Sequence, residues 1–170
     1  MARPATKSYT KETVANIPAE RVVLATVFHT NDQERIANLD EADFVDKLNS
    51  LLLRAMKELV AKGAPLEYIP LCDLLRTPDY EKSKALVEIR KDGAIADAVT
   101  LVLDEFINPA NLEYYWRLLR QERLRRWLLK FSGTIHDKAI DRGMDPLETA
   151  KWAVKQACLN IKASQLEVEV

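Results

Sequence analysis

The sequence predicts an all-α fold in which a globular helical bundle is followed by an antiparallel helical hairpin. Only four of the 170 residues are glycine, and runs of β-branched residues are short, so the composition does not favour a β-rich fold. Apolar residues instead recur at spacings of three and four along most of the chain, which is the period of one helix face. Prolines such as Pro18, Pro78, Pro109 and Pro146 stand where these periodic segments begin, and proline is favoured at the first helical position.

The chain divides into four predicted regions. Residues 1–15 are polar, lightly basic and without periodicity, which indicates a flexible N-terminal arm. The bundle is expected over residues 16–107 and the hairpin over residues 108–163. Residues 164–170 are expected to be a C-terminal tail, although their alternating pattern would also suit an edge strand added to a partner sheet.

Two helices are expected in the first part of the bundle. Pro18 opens a helix whose apolar face continues to Phe28, so this helix should lie in the core. A longer helix is expected to start at the acidic segment 40–43, because carboxylates are favoured at the positive end of a helix. It should end at Gly63 and Pro65, which are typical helix-stop residues.

The second part of the bundle contains shorter predicted helices. A helix of about two turns is expected over residues 70–75. Thr77 and Pro78 then start a moderately periodic helix that extends towards residue 91. After a turn at residues 92–93, an apolar helix is expected over residues 94–107. Five or six helices would therefore precede the hairpin.

The first hairpin helix carries the most informative pattern of the chain. Asn108 can cap it, Pro109 suits its first position, and it is expected to run to about Arg142. Its apolar residues form one continuous face, which we name the aromatic stripe, and a stripe of this length must be buried. The stripe consists of Leu112, Tyr115, Trp116, Leu119, Trp127, Phe131, Ile135 and Ala139.

A second hairpin helix follows after a short connection. Gly143 is a natural stop, Asp145 a cap and Pro146 a first-turn residue, so the two helices should pack antiparallel. Because the hairpin exposes more apolar surface than it can bury alone, we expect it to form an oligomer through the aromatic stripe together with Trp152. Trp116 and Trp127 are the best candidates for the seam between subunits.

Positive charge is concentrated on the first hairpin helix, on a surface that we name the basic face. It has two interpretations: a weak contact to single-stranded DNA or an acidic partner, or a solvated face whose arginines pair with nearby acids. The second interpretation is preferred. The residues concerned are Arg117, Arg120, Arg123, Arg125, Arg126 and Lys130.

The sequence gives no case for catalysis or for a bound metal or cofactor. Cys72 and Cys158 lie in apolar helical patterns without other ligands at the required spacing, so both are expected to be buried thiols. His29 and His136 are far apart and belong to no metal-binding motif. No segment resembles a signal sequence or reaches membrane-spanning length, so we expect a cytoplasmic protein without a membrane partner.

Several motifs occur in an order that is hard to obtain by chance. The clearest is Ala-Asn-Leu-Glu-Tyr-Tyr at residues 110–115, followed by the basic, leucine-rich segment 118–126. The others are Ile17–Ala25, Asp43-Phe44, Ala55–Leu59, Gly63-Ala-Pro65 and Leu71–Leu75. In this order and at these spacings, the chain from about residue 16 to 163 resembles the N-terminal domain of the bacterial DnaB-type replicative helicase.

The sequence departs from that family in two places. Residues 80–104 lack the glycine-glycine and tyrosine-leucine pattern that usually precedes the hairpin, so contacts made by that surface cannot be carried over. No Gly-x-x-x-x-Gly-Lys-Ser/Thr motif occurs, and the glycines at 63, 93, 133 and 143 cannot build a phosphate-binding loop. The resemblance does not extend to a motor domain, and we expect no ATP hydrolysis by this chain itself.

The resemblance implies a role in DNA replication. In that family six such domains form a collar, their hairpins pack in pairs, and the collar binds primase and helicase loader in the primosome. The chain is therefore expected to be a non-catalytic oligomerisation and docking module. The alternative is a freestanding phage or plasmid accessory protein that binds the host replicative helicase as loader, recruiter or inhibitor.

Overall fold

A computed structural model describes residues 15–87, 95–106, 108–141 and 143–166, and across these residues the chain is all-α, which confirms the predicted fold class. The first helices are α1 (Ile17–His29), α2 (Gln33–Asn38), α3 (Lys47–Ala61), α4 (Tyr68–Leu75) and α5 (Pro78–Glu81). Residues 84–87 are also helical. They are followed by α6 (Ile95–Leu103), α7 (Leu112–Ile140) and α8 (Pro146–Leu166), with 3-10 turns at Glu41–Asp43 and Pro109–Asn111.

Side-chain caps stand at the starts of several helices. The Oδ1 atom of Asn16 accepts a hydrogen bond from the amide of Ala19 at 3.1 Å at the start of α1. In the same way, Asp145 accepts one from the amide of Leu147 at 2.9 Å at the start of α8. These caps satisfy amides that have no partner inside the helix, so they fix where each helix begins.

The helix that was expected to start at residue 40 begins later, at Lys47. The acids of segment 40–43 form a 3-10 turn instead, and Asp46 caps α3 by accepting hydrogen bonds from the amides of Leu48 and Asn49 at 2.9 and 3.0 Å. The macrodipole argument therefore placed the helix start seven residues too early. The six-residue helix α2, which Asp32 caps at 3.0 Å through the amide of Arg35, was not predicted.

The predicted terminal regions fall largely outside the described residues. Residues 1–14 of the expected arm and residues 167–170 of the expected tail are not among them. Residues 164–166, which were assigned to the tail, belong to α8, because the helix extends to Leu166.

The bundle core is formed by the apolar faces of α1, α3, α4 and α6. It includes side chains that are completely inaccessible to solvent, which accounts for the helical periodicity of the sequence. Examples are Val23, Leu24, Leu52, Leu53, Met56, Leu71, Leu75, Val99 and Val102.

One carboxylate is buried in this core and organises the start of α3. Glu20 is 1% exposed, and it accepts hydrogen bonds from the amides of Val45 at 2.7 Å and Asp46 at 3.2 Å. It also accepts one from the side-chain amide of Asn49 at 2.9 Å. Burial raises the pKa of Glu20, although these three hydrogen bonds act in the opposite direction. The side chain thus connects α1 to the segment that leads into α3.

The chain forms two compact units, Met1–Arg125 and Arg126–Val170. The first contains the bundle and the first half of α7, and the second contains the remainder of α7 and all of α8. Within the described residues, no helix is long and apolar enough to cross a membrane.

Candidate functional site

The first half of the aromatic stripe lies in the core of its own chain. Leu112 is 3% exposed and Leu119 is 1% exposed, and both belong to the bundle core. Tyr115 and Trp116 are half-buried and pack against the same core. Leu112 and Leu119 therefore have no surface left for a second chain, and their assignment to an oligomer interface is corrected. The periodicity correctly predicted that these two leucines are buried. It did not show that the bundle of the same chain covers them.

Trp116 is held in place by an arginine of the basic face. The guanidinium carbon of Arg120 lies 4.3 Å from the centre of the Trp116 ring, a cation–π arrangement. The indole nitrogen of Trp116 is buried without a hydrogen-bond partner in the part of the chain that the structure describes. Trp116 packs against the bundle core, so it is principally a packing residue of the first unit.

The second half of the aromatic stripe forms the seam of the hairpin. The rings of Trp127 and Phe131 are stacked with centroids 4.7 Å apart, and Phe131 lies 5.7 Å from Trp152 across the two helices. The ammonium of Lys138 lies 4.9 Å from the Trp152 ring centre. These aromatic residues and Ile135 are half-buried within a single hairpin. This half of the aromatic stripe was expected to lie between subunits. In the structure it packs α7 against α8 within one chain.

The opposite side of α8 carries a second apolar row, which we name the outer stripe. Leu147 is 61% exposed, Val154 is 65% exposed and Ile161 is 51% exposed. Ala150 and Cys158 complete the row and are also exposed. The spacings of three, four, four and three place all five on one helix face. The side facing α7 carries buried Thr149 and half-buried Trp152 instead, so the outer stripe is an apolar surface that the hairpin leaves uncovered.

The two cysteines lie in different environments. Cys72 is buried in the bundle, as predicted, and burial raises the pKa of its thiol. Cys158 is exposed, so the prediction that it is a buried thiol was wrong. Cys158 does lie in an apolar helical pattern, but that pattern is the outer stripe, which is exposed.

Arg123 of the basic face is bound to acids of its own chain. Its Nη1 atom donates to Asp40 Oδ2 at 2.6 Å and to Asp43 Oδ1 at 3.2 Å, and the side chain of Asp43 is only 2% exposed. We name this contact the Arg123 clamp. It joins α7 to the 3-10 turn, so Arg123 is not available to an external phosphate.

The pKa values of the three residues in the Arg123 clamp are shifted in different directions. Burial raises the pKa of Asp43 because it outweighs the nearby guanidinium. For Asp40, burial is outweighed by the hydrogen bonds from the Ala42 amide and from Arg123, so the pKa is lowered. Loss of solvent alone would lower the pKa of Arg123, but the two carboxylates raise it. Arg123 therefore stays protonated. Of the two carboxylates, Asp43 is the less favourably placed to carry a negative charge.

The remaining basic-face residues are only partly available. Arg125 donates to Glu122 Oε1 at 2.6 Å, so its charge is locally compensated. Arg126 is half-buried. Arg117 and Lys130 are exposed and have no ion pair with any described residue. The structure does not bring the six residues together as a uniform track, because neighbouring acids and Trp116 engage several of them.

The histidines occupy separate places. The Nε2 atom of His29 lies 3.0 Å from the carbonyl oxygen of Leu103, and its ring meets Phe106 edge-on with centroids 5.2 Å apart. His136 is exposed on α7. Among the described residues, no cluster of histidine, cysteine and acidic side chains could hold a metal ion.

Comparisons with known proteins found a matching family model and a matching solved structure. A family model described as the DnaB-like helicase N-terminal domain matches residues 12–121, which include the bundle and the first part of α7. The crystal structure of the N-terminal domain of DnaB helicase from Mycobacterium tuberculosis matches with a TM-score of 0.65 at 19% sequence identity. The match covers 83% of this chain and 94% of the other, so the two share a fold. No curated protein sequence matches the chain.

Proposed function

Because the family model matches well over half of its length, the chain belongs to the family of DnaB-like helicase N-terminal domains, and we propose that it is a non-catalytic oligomerisation and docking module of the DNA replication machinery. It assembles with further copies of itself through the hairpin and presents a surface to primase or helicase loader. The observation that carries the proposal is the outer stripe of α8, which leaves five apolar residues uncovered along four turns.

The outer stripe suits packing against a copy of itself. Its ends are Leu147 and Ile161, and Val154 is its middle residue. When two identical helices pack antiparallel about a two-fold axis, the middle residue of one meets the middle residue of the other. The charged neighbours Glu148 and Lys151 pair within α8 at 2.8 Å, so they add no net charge beside the seam. An isologous helix pair would remove the whole stripe from water.

Cysteine cross-linking tests this geometry directly. The Val154→Cys variant in a Cys158→Ser background has a single exposed thiol, because the other thiol, Cys72, is buried. Mild oxidation should convert it to a covalent dimer, since a disulfide requires Cα atoms within about 7 Å. Placing the thiol instead at His136, an exposed residue of α7, should give little dimer. Equal cross-linking at both positions would indicate random collision and contradict the antiparallel pair.

Docking is tested by binding to purified replication proteins. The native chain, immobilised, should retain a purified primase or helicase loader from the same cell. Failure to bind either protein, in a preparation that assembles normally, would remove the docking half of the proposal.

A further inference from the structure

The bundle carries a second uncovered apolar surface, remote in sequence from the outer stripe. Ile69 of α4 is 70% exposed and Leu101 of α6 is 55% exposed. Tyr68 connects the two helices, because its hydroxyl donates to the carbonyl of Ala96 at 2.7 Å and lies 2.9 Å from Thr100 Oγ1. Ile69 and Leu101 each directly follow one of the joined residues. The hydrogen bonds hold the start of α4 beside α6, and both apolar side chains are exposed there.

Exposed carboxylates accompany these apolar residues. Asp97 and Leu101 stand at positions i and i+4 on one face of α6, Asp104 and Glu105 directly follow the end of that helix, and all four are exposed. Glu67, also exposed, immediately precedes Tyr68. Within the described chain these four acids make no ion pair. We name the whole surface the acid-rimmed patch: Glu67, Tyr68, Ile69, Asp97, Leu101, Asp104 and Glu105.

We propose that the acid-rimmed patch is the docking site for a basic amphipathic helix of a partner protein. A row of leucine-like side chains would pack on Ile69, Tyr68 and Leu101, while flanking lysines or arginines would meet the carboxylates. From Asp97 to the end of α6 at Leu103 the face is about 9 Å long, or nearly two helical turns, which suits two apolar anchors of an incoming helix. The assignment rests on the proposed docking role and is independent of self-assembly.

The charges disfavour the other occupants. In a second copy, Arg123 is bound by Asp40 and Asp43, and Arg125 is bound by Glu122. The exposed cations Arg117 and Lys130 stand about 20 Å apart along α7, too far to flank one surface of two turns. The outer stripe of α8 is flanked by an internally neutralised pair of Glu148 and Lys151. Nucleic acid would be repelled by four carboxylates. A basic helix from a different protein fits both the charge and the apolar centre.

The test uses two synthetic helical peptides of about four turns with leucine along one face, one flanked by lysine and one by glutamate. Fluorescence anisotropy of labelled peptide measures binding at low and moderate salt. The lysine peptide should bind and the glutamate peptide should not. Asp97→Lys with Asp104→Lys should weaken the lysine peptide by about tenfold or more, and Leu101→Ser should also weaken it, with less dependence on salt.

A matched control places similar changes on the other apolar surface. Val154→Ser with Glu148→Lys alters α8 and should leave peptide affinity unchanged. Equal binding of both peptides, no binding of the lysine peptide at about 1 mM, or affinity that is indifferent to the patch variants would overturn the proposal. If the patch variants change the oligomeric mass instead, the patch is a contact between copies and the proposal fails.

The outcomes separate this proposal from self-assembly. A chain that forms oligomers but ignores the lysine peptide would remove only the patch assignment. A chain that binds the peptide through the patch yet stays monomeric would remove only the hairpin assembly. Because all substituted side chains are exposed, the variants should retain the native helical circular dichroism.

Discussion

Asp43 illustrates how tertiary contacts change what a residue does locally. In the sequence it is one of three acids that favour a helix start, but in the structure its side chain is only 2% exposed and is bound by Arg123. A buried carboxylate without its cation would lose both water and counter-charge. The Arg123 clamp is therefore a structural contact, and it accounts for one of the six positive charges of the basic face.

Replacing Arg123 with alanine should lower the free energy of unfolding by about 1–3 kcal/mol, because Asp43 is left unpaired while Arg123 itself is partly exposed. Urea denaturation followed by circular dichroism measures the change. Arg117→Ala is the matched control, since Arg117 is exposed and has no ion pair with a described residue, and it should change stability by less than about 0.5 kcal/mol. Equal effects of the two variants would show that the clamp contributes nothing.

Glu20 should make stability depend on pH. Burial raises its folded-state pKa above the ordinary value of 4.5, so the folded chain holds the proton more tightly than the unfolded chain. Its contribution is therefore fully present below the unfolded pKa and decreases as pH rises through the raised folded value. The free energy of unfolding of the native chain minus that of Glu20→Gln should decline over this interval in denaturant titrations. A difference that stays constant or rises with pH would contradict this assignment.

At the scale of elements, α7 is one helix with two environments. Its first half packs on the bundle through Leu112 and Leu119, and its second half packs on α8 through Phe131. Periodicity predicted a single continuous stripe, since spacing reports which residues share a face. The spacing does not show which neighbouring element covers each turn. It therefore did not predict that the two halves of α7 pack against different elements.

Other elements show the same limit. Prolines and caps correctly located the starts of α1, α5 and α8, because their effects are local. The short helix α2 and the 3-10 turn at Glu41–Asp43 were missed, since six or fewer residues carry too little periodicity. The sequence analysis did not separate the two sides of α8. The outer stripe is exposed because Trp152 packs towards α7 on the opposite side of the helix.

The basic face of α7 should bind single-stranded DNA weakly. Arg123 and Arg125 are paired with acids of the chain, so few phosphates can be neutralised and affinity should be lost at about 0.15 M salt. Anisotropy of a labelled thymidine oligonucleotide measures this, with Arg117→Glu and Lys130→Glu as the informative variants. Tight binding at that salt concentration, abolished by either variant, would instead assign a DNA contact to this helix.

At the scale of the whole molecule, the outer stripe and the acid-rimmed patch are both exposed apolar surfaces, and they differ in their surroundings. The outer stripe lies on the hairpin unit beside a neutral ion pair, and the acid-rimmed patch lies on the bundle unit among four carboxylates. We therefore assign the first to a copy of the same chain and the second to a different protein. A collar-like module needs both kinds of surface, one for assembly and one for recruitment.

The mass of the particle in solution tests the assembly most directly. Multi-angle light scattering of the native chain at tens of micromolar should give a dimer or a larger oligomer, since an apolar seam of four turns would be covered. Val154→Glu places a charge in the middle of that seam and should give a monomer. His136→Glu, which adds the same charge at an exposed polar position of α7, should leave the mass unchanged. A native chain that is monomeric, or an oligomer unaffected by Val154→Glu, would contradict assembly through the outer stripe.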